Sequence, residues 1–473
     1  MMKLRIAFVG LILCMVMTLG LQAGRVSVDD ARQVARNLYF ERIQAFKALP
    51  LEMVKISGEF TVSLAGEPVY YVFNMGNDEG FVIISAEDQV QPVLAYSFQG
   101  SYRTDDHHPG FAAQMKLYEE QIAECRGKTM LRVADIEDQW NKYRNAHFTA
   151  SKDVKGATIG PICKTTWDQG GYYNDSCPGN SVTGCVATMM AQVMKAFAWP
   201  PQGKGSYSYA HSYYGVQKAN FGNTTYNWSA MPNVVSAPNA PVAQLMYHCG
   251  VSVDMNYSPG GSGASMHRAK DALYLYFHYS PFIRIAQKDA YSDIHWKILV
   301  RAQHMNGRPV MYSGPGHAFV CDGFQYHDHF HFNWGWGGSY DGYYYLTSLR
   351  PGNYNFSNGQ DAILDCYPDT TTKFEVIGEG GMRSLMDGDE VQLVPNPVTD
   401  GKVQLTLMND YTGPVVVTVT GLTGRQYDRF LINKETEWSV DELPLPHLKS
   451  GFYIMVIEMG NQVIIRRFLA GAR

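Results

Sequence analysis

The spacing of apolar residues changes several times along the chain, and each change predicts a different kind of element. Ile6 to Leu21 is an apolar run behind the basic Lys3 and Arg5 and ahead of the small Ala23, the pattern of a secretory signal peptide over residues 1–23. The run is shorter than the roughly 20 apolar residues a membrane-spanning helix needs, so no integral membrane span is expected in the mature chain. From Val28, apolar residues recur at helical spacing (Ala31, Val34, Ala35, Leu38), and period-two and apolar runs follow at Val69–Asn74 and Phe81–Ser85. Residues 24–145 therefore read as a small α+β unit.

Residues 146–155 are polar and aperiodic, as a linker or processing site would be, and they open a region over 146–370 rich in Trp, Tyr and Gly-containing turns. A second linker is expected at 371–390. Over 391–473 come short strands at Val391–Val394, Val403–Leu407, Val415–Thr420, Phe452–Glu458 and Val463–Phe468, separated by Gly- and Asn-containing turns. That rhythm predicts a β-sandwich.

Length and composition fit several folded domains. The 473 residues exceed one ordinary domain, and 45% hydrophobic with 13% aromatic content supplies more core than a disordered chain carries. The formal net charge of -5 gives no basic field to attract nucleic acid. Of eight cysteines, Cys14 falls in the signal segment, which leaves an odd seven. In an oxidising compartment at least one thiol is then unpaired or paired between molecules. No Cys-x-x-Cys pair occurs, so spacing gives zinc no support.

Three segments carry candidate chemistry. Ser181 to Gly184 lead into a run from Cys185 to Trp199 without Gly or Pro, closed by Pro200 and Pro201, which predicts a helix with Cys185 at its first turn. There the free backbone N–H groups and the positive dipole end favour a thiolate, the reactive form of cysteine. A cysteine under a helix start also serves as a small apolar plug, and the segment alone does not separate the two. His317, after Gly314-Pro315-Gly316 and before the apolar Ala318-Phe319-Val320-Cys321, reads as the first residue of a buried strand and a candidate base; a surface histidine beside a loop is the plainer alternative. The strand His329–Asn333 places His329, His331 and Asn333 on one face, where Asn333 could orient the His317 ring while Trp334 or Trp336 shields the bond. His327, His329 and His331 invite a metal reading, but no carboxylate or cysteine stands at complementary spacing.

Thr183-Gly184-Cys185-Val186-Ala187-Thr188, Gly316-His317-Ala318-Phe319-Val320 and Asn333-Trp334-Gly335-Trp336-Gly337-Gly338 resemble, in order, the signature segments of the streptopain family of papain-like cysteine peptidases. Trp167-Asp168-Gln169-Gly170, Tyr226-Asn227-Trp228 and Gly250–Met255 ahead of the Ser258–Ser265 loop extend the likeness over about 155–367. The resemblance implies a papain-like domain of α+β class, with Cys185 as nucleophile and His317 as general base and acid. It makes Gln169 the side-chain oxyanion donor beside the Cys185 N–H, and gives Asn333 and Trp334 a positioning role. No cofactor and no metal are implied.

Upstream, Phe81–Ser85, Leu94–Tyr102 and a helical stretch around Met115–Glu124 are similar to the family's inhibitory propeptide. Downstream, Val394-Pro395-Asn396-Pro397-Val398, Gly421–Gly424, Leu448–Tyr453 and Arg466-Arg467 resemble the C-terminal sorting domain of type IX secretion cargo. Together these imply a zymogen that cleaves protein or peptide substrates, is inhibited by its own prodomain, engages the type IX secretion machinery, and is secreted to the medium or surface of a double-membrane bacterium. A surface binding or adhesion protein on a papain-like scaffold and a cysteine-dependent acyl transferase are the alternatives.

Overall fold

The computed structural model describes residues 24–473 apart from 106, 127–132, 146–157, 315, 327, 348, 350–358, 370–390, 395–397, 399–400, 409–410, 422–424, 437, 460–461 and 472–473. The expected signal peptide and both expected linkers lie outside the described residues. No helix among the described residues is long and apolar enough to cross a membrane.

The N-terminal unit opens with α1 (Val28–Ile43), whose first turn is capped by Ser27 Oγ accepting from the Asp30 N–H. Asp29 and Asp30 at its start and Arg42 at its end complement the helix dipole. Strands β1 (Ile56–Leu64), β2 (Glu67–Met75), β3 (Phe81–Ser85) and β4 (Val93–Ser97) follow, then helices α2 (Pro109–Cys125) and α3 (Ala134–Arg144). Alternate residues of β2 point to opposite faces of the sheet. Tyr71 and Phe73 join α1 and α3 in one core, and Tyr70 and Val72 join α2 in another.

The central region begins with β5 (Thr158–Ile159), α4 (Cys185–Phe197), β6 (Tyr207–His211), β7 (Gly215–Ala219), α5 (Ala240–Ser252) and α6 (Met266–Tyr276). It continues through β8 (Arg284–Gln287), α7 (Asp293–Met305), β9 (Val310–Gly314), β10 (His317–Gln325), β11 (His329–Asn333), β12 (Gly342–Tyr345) and β13 (Asp361–Leu364). Helices α4, α5 and α6 pack around one core with Trp167, Met190 and Leu245. The strands form the other half, so α4 and β10 meet where the two halves join.

One sheet runs through both regions in the order β1-β2-β3-β4-β12-β11-β10-β9-β13-β8, with β5 beside β10. The junction is antiparallel pairing of Tyr343 with Tyr96 and Tyr344 with Ala95. Gly342 permits it, because a Cβ there would sit 2.6 Å from the Tyr96 carbonyl oxygen. The α2 residues Phe111 and Met115 share a core with Phe319, Phe332 and Trp334, so the N-terminal unit is fused to the central region by packing as well as by the sheet.

The C-terminal region forms two sheets around one apolar core that includes Val403, Val417 and Met455. Its strands are β14 (Val391–Val394), β15 (Lys402–Met408), β16 (Gly413–Gly421), β17 (Gln426–Lys434), β18 (Trp438–Pro444), β19 (Gly451–Met459) and β20 (Gln462–Ala470). They pair as β14-β15-β18 and β17-β16-β19-β20. The hydrophobic spacing anticipated five of these seven strands. Strands β17 and β18 escaped it because charged and polar residues interrupt both.

Candidate active site

Cys185 is the first residue of α4, and the chain reaches it through Gly184 at φ 86°. A side chain at 184 would be strained by that backbone and would also meet Met255 Sδ at 2.7 Å and the Ser262 carbonyl at 2.9 Å. The Ser258–Ser265 loop is tied to the same turn by Ser262 Oγ, which donates to the Val182 carbonyl at 2.7 Å. Among the described residues no disulfide joins the seven cysteines; six are buried, and Cys185 is partly exposed.

His317 begins β10, as its sequence context predicts, and is buried. Its Nε2 lies 3.0 Å from the Trp334 carbonyl oxygen. A carbonyl can only accept, so Nε2 carries the hydrogen and Nδ1 keeps the lone pair. The expected orienting partner was Asn333, and here the structure differs. The Asn333 side chain is occupied by Gln192, Thr165 and Gly335, while the neighbouring main-chain carbonyl holds the ring. Trp334 and Trp336 each place a ring 6.4 Å from that of His317, where they screen the bond from water. The Trp334 N–H donates to Asp341 Oδ1 at 2.8 Å, and burial pushes the Asp341 carboxyl up to about 7.

Among the described residues, no hydrogen bond joins the Cys185 thiol to the His317 ring. Burial raises the Cys185 thiol above its ordinary value, although the backbone N–H groups of Ala318, Val186 and Cys185 itself favour the thiolate. Burial also lowers His317, with the Trp334 carbonyl opposing. Both directions favour neutral groups, so in this form desolvation outweighs the helix-start field expected to produce a thiolate.

Gln169 is buried, and its carbonyl accepts from the Thr183 N–H at 2.9 Å, which holds it alongside the approach to Cys185. Its side-chain amide makes no hydrogen bond among the described residues and is therefore available as a donor.

The start of α2 covers His317. His108 caps that helix by accepting from the Phe111 N–H at its Nδ1, stacks on Trp336 with ring centroids 5.5 Å apart, and has its Nε2 3.2 Å from the Ser339 carbonyl. Two residues on, Gly110 lies so close that a Cβ there would run into the His317 ring.

The remaining histidines of the sequence pattern have structural partners. His331 Nδ1 lies 2.7 Å from Asp322 Oδ1, and His329 Nε2 lies 3.2 Å from the Val93 carbonyl. His327 lies outside the described residues. Among those described, no group of three or more His, Cys, Asp or Glu side chains is arranged to hold a metal ion. Sequence reasoning missed Gln192, a fully buried amide in the mostly apolar run of α4 that bonds to both Thr165 and Asn333. Its signal was a polar residue two turns beyond Cys185 on the same helix face.

A model of the peptidase C10 family matches residues 167–344, and one of the Spi protease inhibitor matches residues 23–122. The chain is 31% identical over 394 residues to the thiol protease/hemagglutinin PrtT of Porphyromonas gingivalis, which covers 76% of this chain and 43% of that protein. It thus spans less than half the length of that relative. Streptopain of Streptococcus pyogenes is 29% identical over 364 residues, 68% of this chain and 85% of that protein. The structure of a prointerpain A fragment from Prevotella intermedia matches with a TM-score of 0.52 at 32% identity, covering 66% of this chain and 99% of the fragment.

Proposed function

This chain belongs to the peptidase C10 family of cysteine peptidases and carries a Spi-type prodomain, and on that footing we propose that it is an exported endopeptidase acting through Cys185 and His317. The observation that carries the reading is the convergence of a partly exposed thiol at a helix start with a histidine whose Nδ1 and a Gln169 side-chain amide that make no hydrogen bond among the described residues.

In this reading His317 Nδ1 takes the Cys185 proton and the thiolate attacks the substrate carbonyl carbon. The oxyanion is held by the Gln169 amide and the Cys185 backbone N–H. Collapse breaks the C–N bond, the leaving amine takes the proton from His317, and water then hydrolyses the thioester with His317 again acting as base. The prodomain keeps the enzyme latent while α2 sits on His317. An irreversible thiol-directed peptidyl inhibitor tests this scheme. Modification of Cys185 with loss of cleavage is expected, whereas cleavage that survives full modification rejects it. Products coupled through glutamine side chains would instead mark an acyl transferase, and ligand capture without any cleavage would mark a binding protein.

Gln169→Ala is expected to lower kcat by roughly 10²–10³, the usual cost of one oxyanion donor. Steady-state kinetics check this, and an effect confined to KM would remove Gln169 from the role.

The C-terminal sandwich we assign to sorting by type IX secretion machinery, which implies delivery to the surface or medium of a double-membrane bacterium. Its own apolar core, distinct from those of the preceding regions, supports this. Truncation after Glu390 should leave peptidase activity intact and stop export; normal export of the shortened chain, followed by fractionation, would show that the sandwich serves another purpose.

A further inference from the structure

Gln192 lies two turns along α4 from Cys185 and is fully buried. Its Oε1 accepts from Thr165 Oγ1 at 2.9 Å and from the Trp167 N–H at 3.2 Å, and its Nε2 donates to Asn333 Oδ1 at 2.8 Å. Asn333 Nδ2 in turn donates to the Thr165 carbonyl at 2.6 Å. The three residues form a closed ring in which each partner fixes the orientation of the next amide.

The ring joins three parts of the site. Trp167 stands two residues before Gln169, the proposed oxyanion donor. Asn333 immediately precedes Trp334, whose carbonyl holds His317 Nε2. Gln192 itself belongs to the helix that carries Cys185. An apolar side chain of the same length would fill this space without the cost of burying a primary amide, so packing alone does not account for glutamine here.

We propose that Gln192 is a positioning residue for peptide hydrolysis, setting the Gln169 and His317 segments in register with Cys185. The proposal rests on the peptidase reading above.

Gln192→Met keeps the length of the side chain and removes its hydrogen bonds. It is measured on the active enzyme recovered from full-chain expression, normalised to thiol titrated by an irreversible peptidyl inhibitor. The variant should lose about 10- to 100-fold in kcat with KM changed by less than about twofold. Affinity for a peptidyl aldehyde, whose adduct oxygen occupies the oxyanion position, should fall by a similar factor. The rate of Cys185 alkylation by iodoacetamide should stay within about twofold, which separates misplacement of the outer segments from damage to the helix.

Gln192→Glu is the second variant. As a protonated acid it can donate to Asn333 Oδ1 as the amide does, and as a carboxylate it sets two acceptors against each other. Its kcat relative to the native enzyme should therefore rise as pH falls. Native kcat per titrated site in Gln192→Met, or equal losses of aldehyde affinity and alkylation rate, overturns the proposal. Should Gln192→Met fail to fold, a pH-independent ratio for Gln192→Glu overturns it instead. Failure of the inhibitor to titrate Cys185 in the native enzyme would be a different result, overturning the peptidase reading and this inference with it.

Discussion

Cys185→Ala is expected to abolish peptide-bond cleavage, lowering kcat by roughly 10⁴-fold or more, because no other group at the site can form the acyl-enzyme. The fold should survive. The turn into α4 is built by Gly184, and the helix is held by buried residues such as Ala187, Met190 and Met194, none of which depends on the sulfur. Cys185 is only partly buried, so its truncation should cost on the order of 1 kcal/mol, within the common range for a single substitution. If maturation is autocatalytic, the variant accumulates as the uncut precursor, visible by mass spectrometry. A folded Cys185→Ala protein that turns over peptide at the native rate would eliminate the mechanism.

The second large effect concerns latency. Gly110 packs directly on the His317 ring, so Gly110→Val forces α2 to lift or the ring to move. Overpacking of this kind costs about 1–3 kcal/mol, which corresponds to roughly a 5- to 150-fold rise in the open population. In the uncut precursor, the thiol-directed peptidyl inhibitor should therefore react with Cys185 faster by a factor in that range. Position 110 lies far along the chain from residue 185 and should leave the intrinsic reactivity of the thiol unchanged once the two regions separate. An unchanged labelling rate, or a native precursor that labels as fast as the matured form, would show that α2 does not guard the site.

Much of the site was legible in the sequence because its elements are local. The helix from Cys185 follows from an apolar run between Gly184 and Pro200, and the strand from His317 follows from the apolar residues after it. The acceptor for His317 was not legible, because a main-chain carbonyl has no residue signature. Asn333 looked like the orienting group on side-chain chemistry alone, and only three-dimensional contacts show its amide engaged elsewhere. Alternation suggested a strand at His329–Asn333 with one polar face. The structure buries all five residues, since the sheet is covered on both sides and each histidine has a local partner. The helix-start argument for a thiolate likewise treated Cys185 in isolation and left out burial, the larger influence in this form.

The pairing of β4 with β12 has a consequence for the life of the enzyme after activation. While Tyr96 and Ala95 lie against Tyr343 and Tyr344, β12 is an interior strand of a long sheet. Once the N-terminal unit departs, β12 becomes a border. Its outward amides and carbonyls lose their partners, and Tyr343, until then buried, is uncovered beside them. Such a rim pairs readily with any extended chain, including a second copy of itself. On the zymogen reading, release of the N-terminal unit would thus bare a strand edge open to pairing in the same event that uncovers His317.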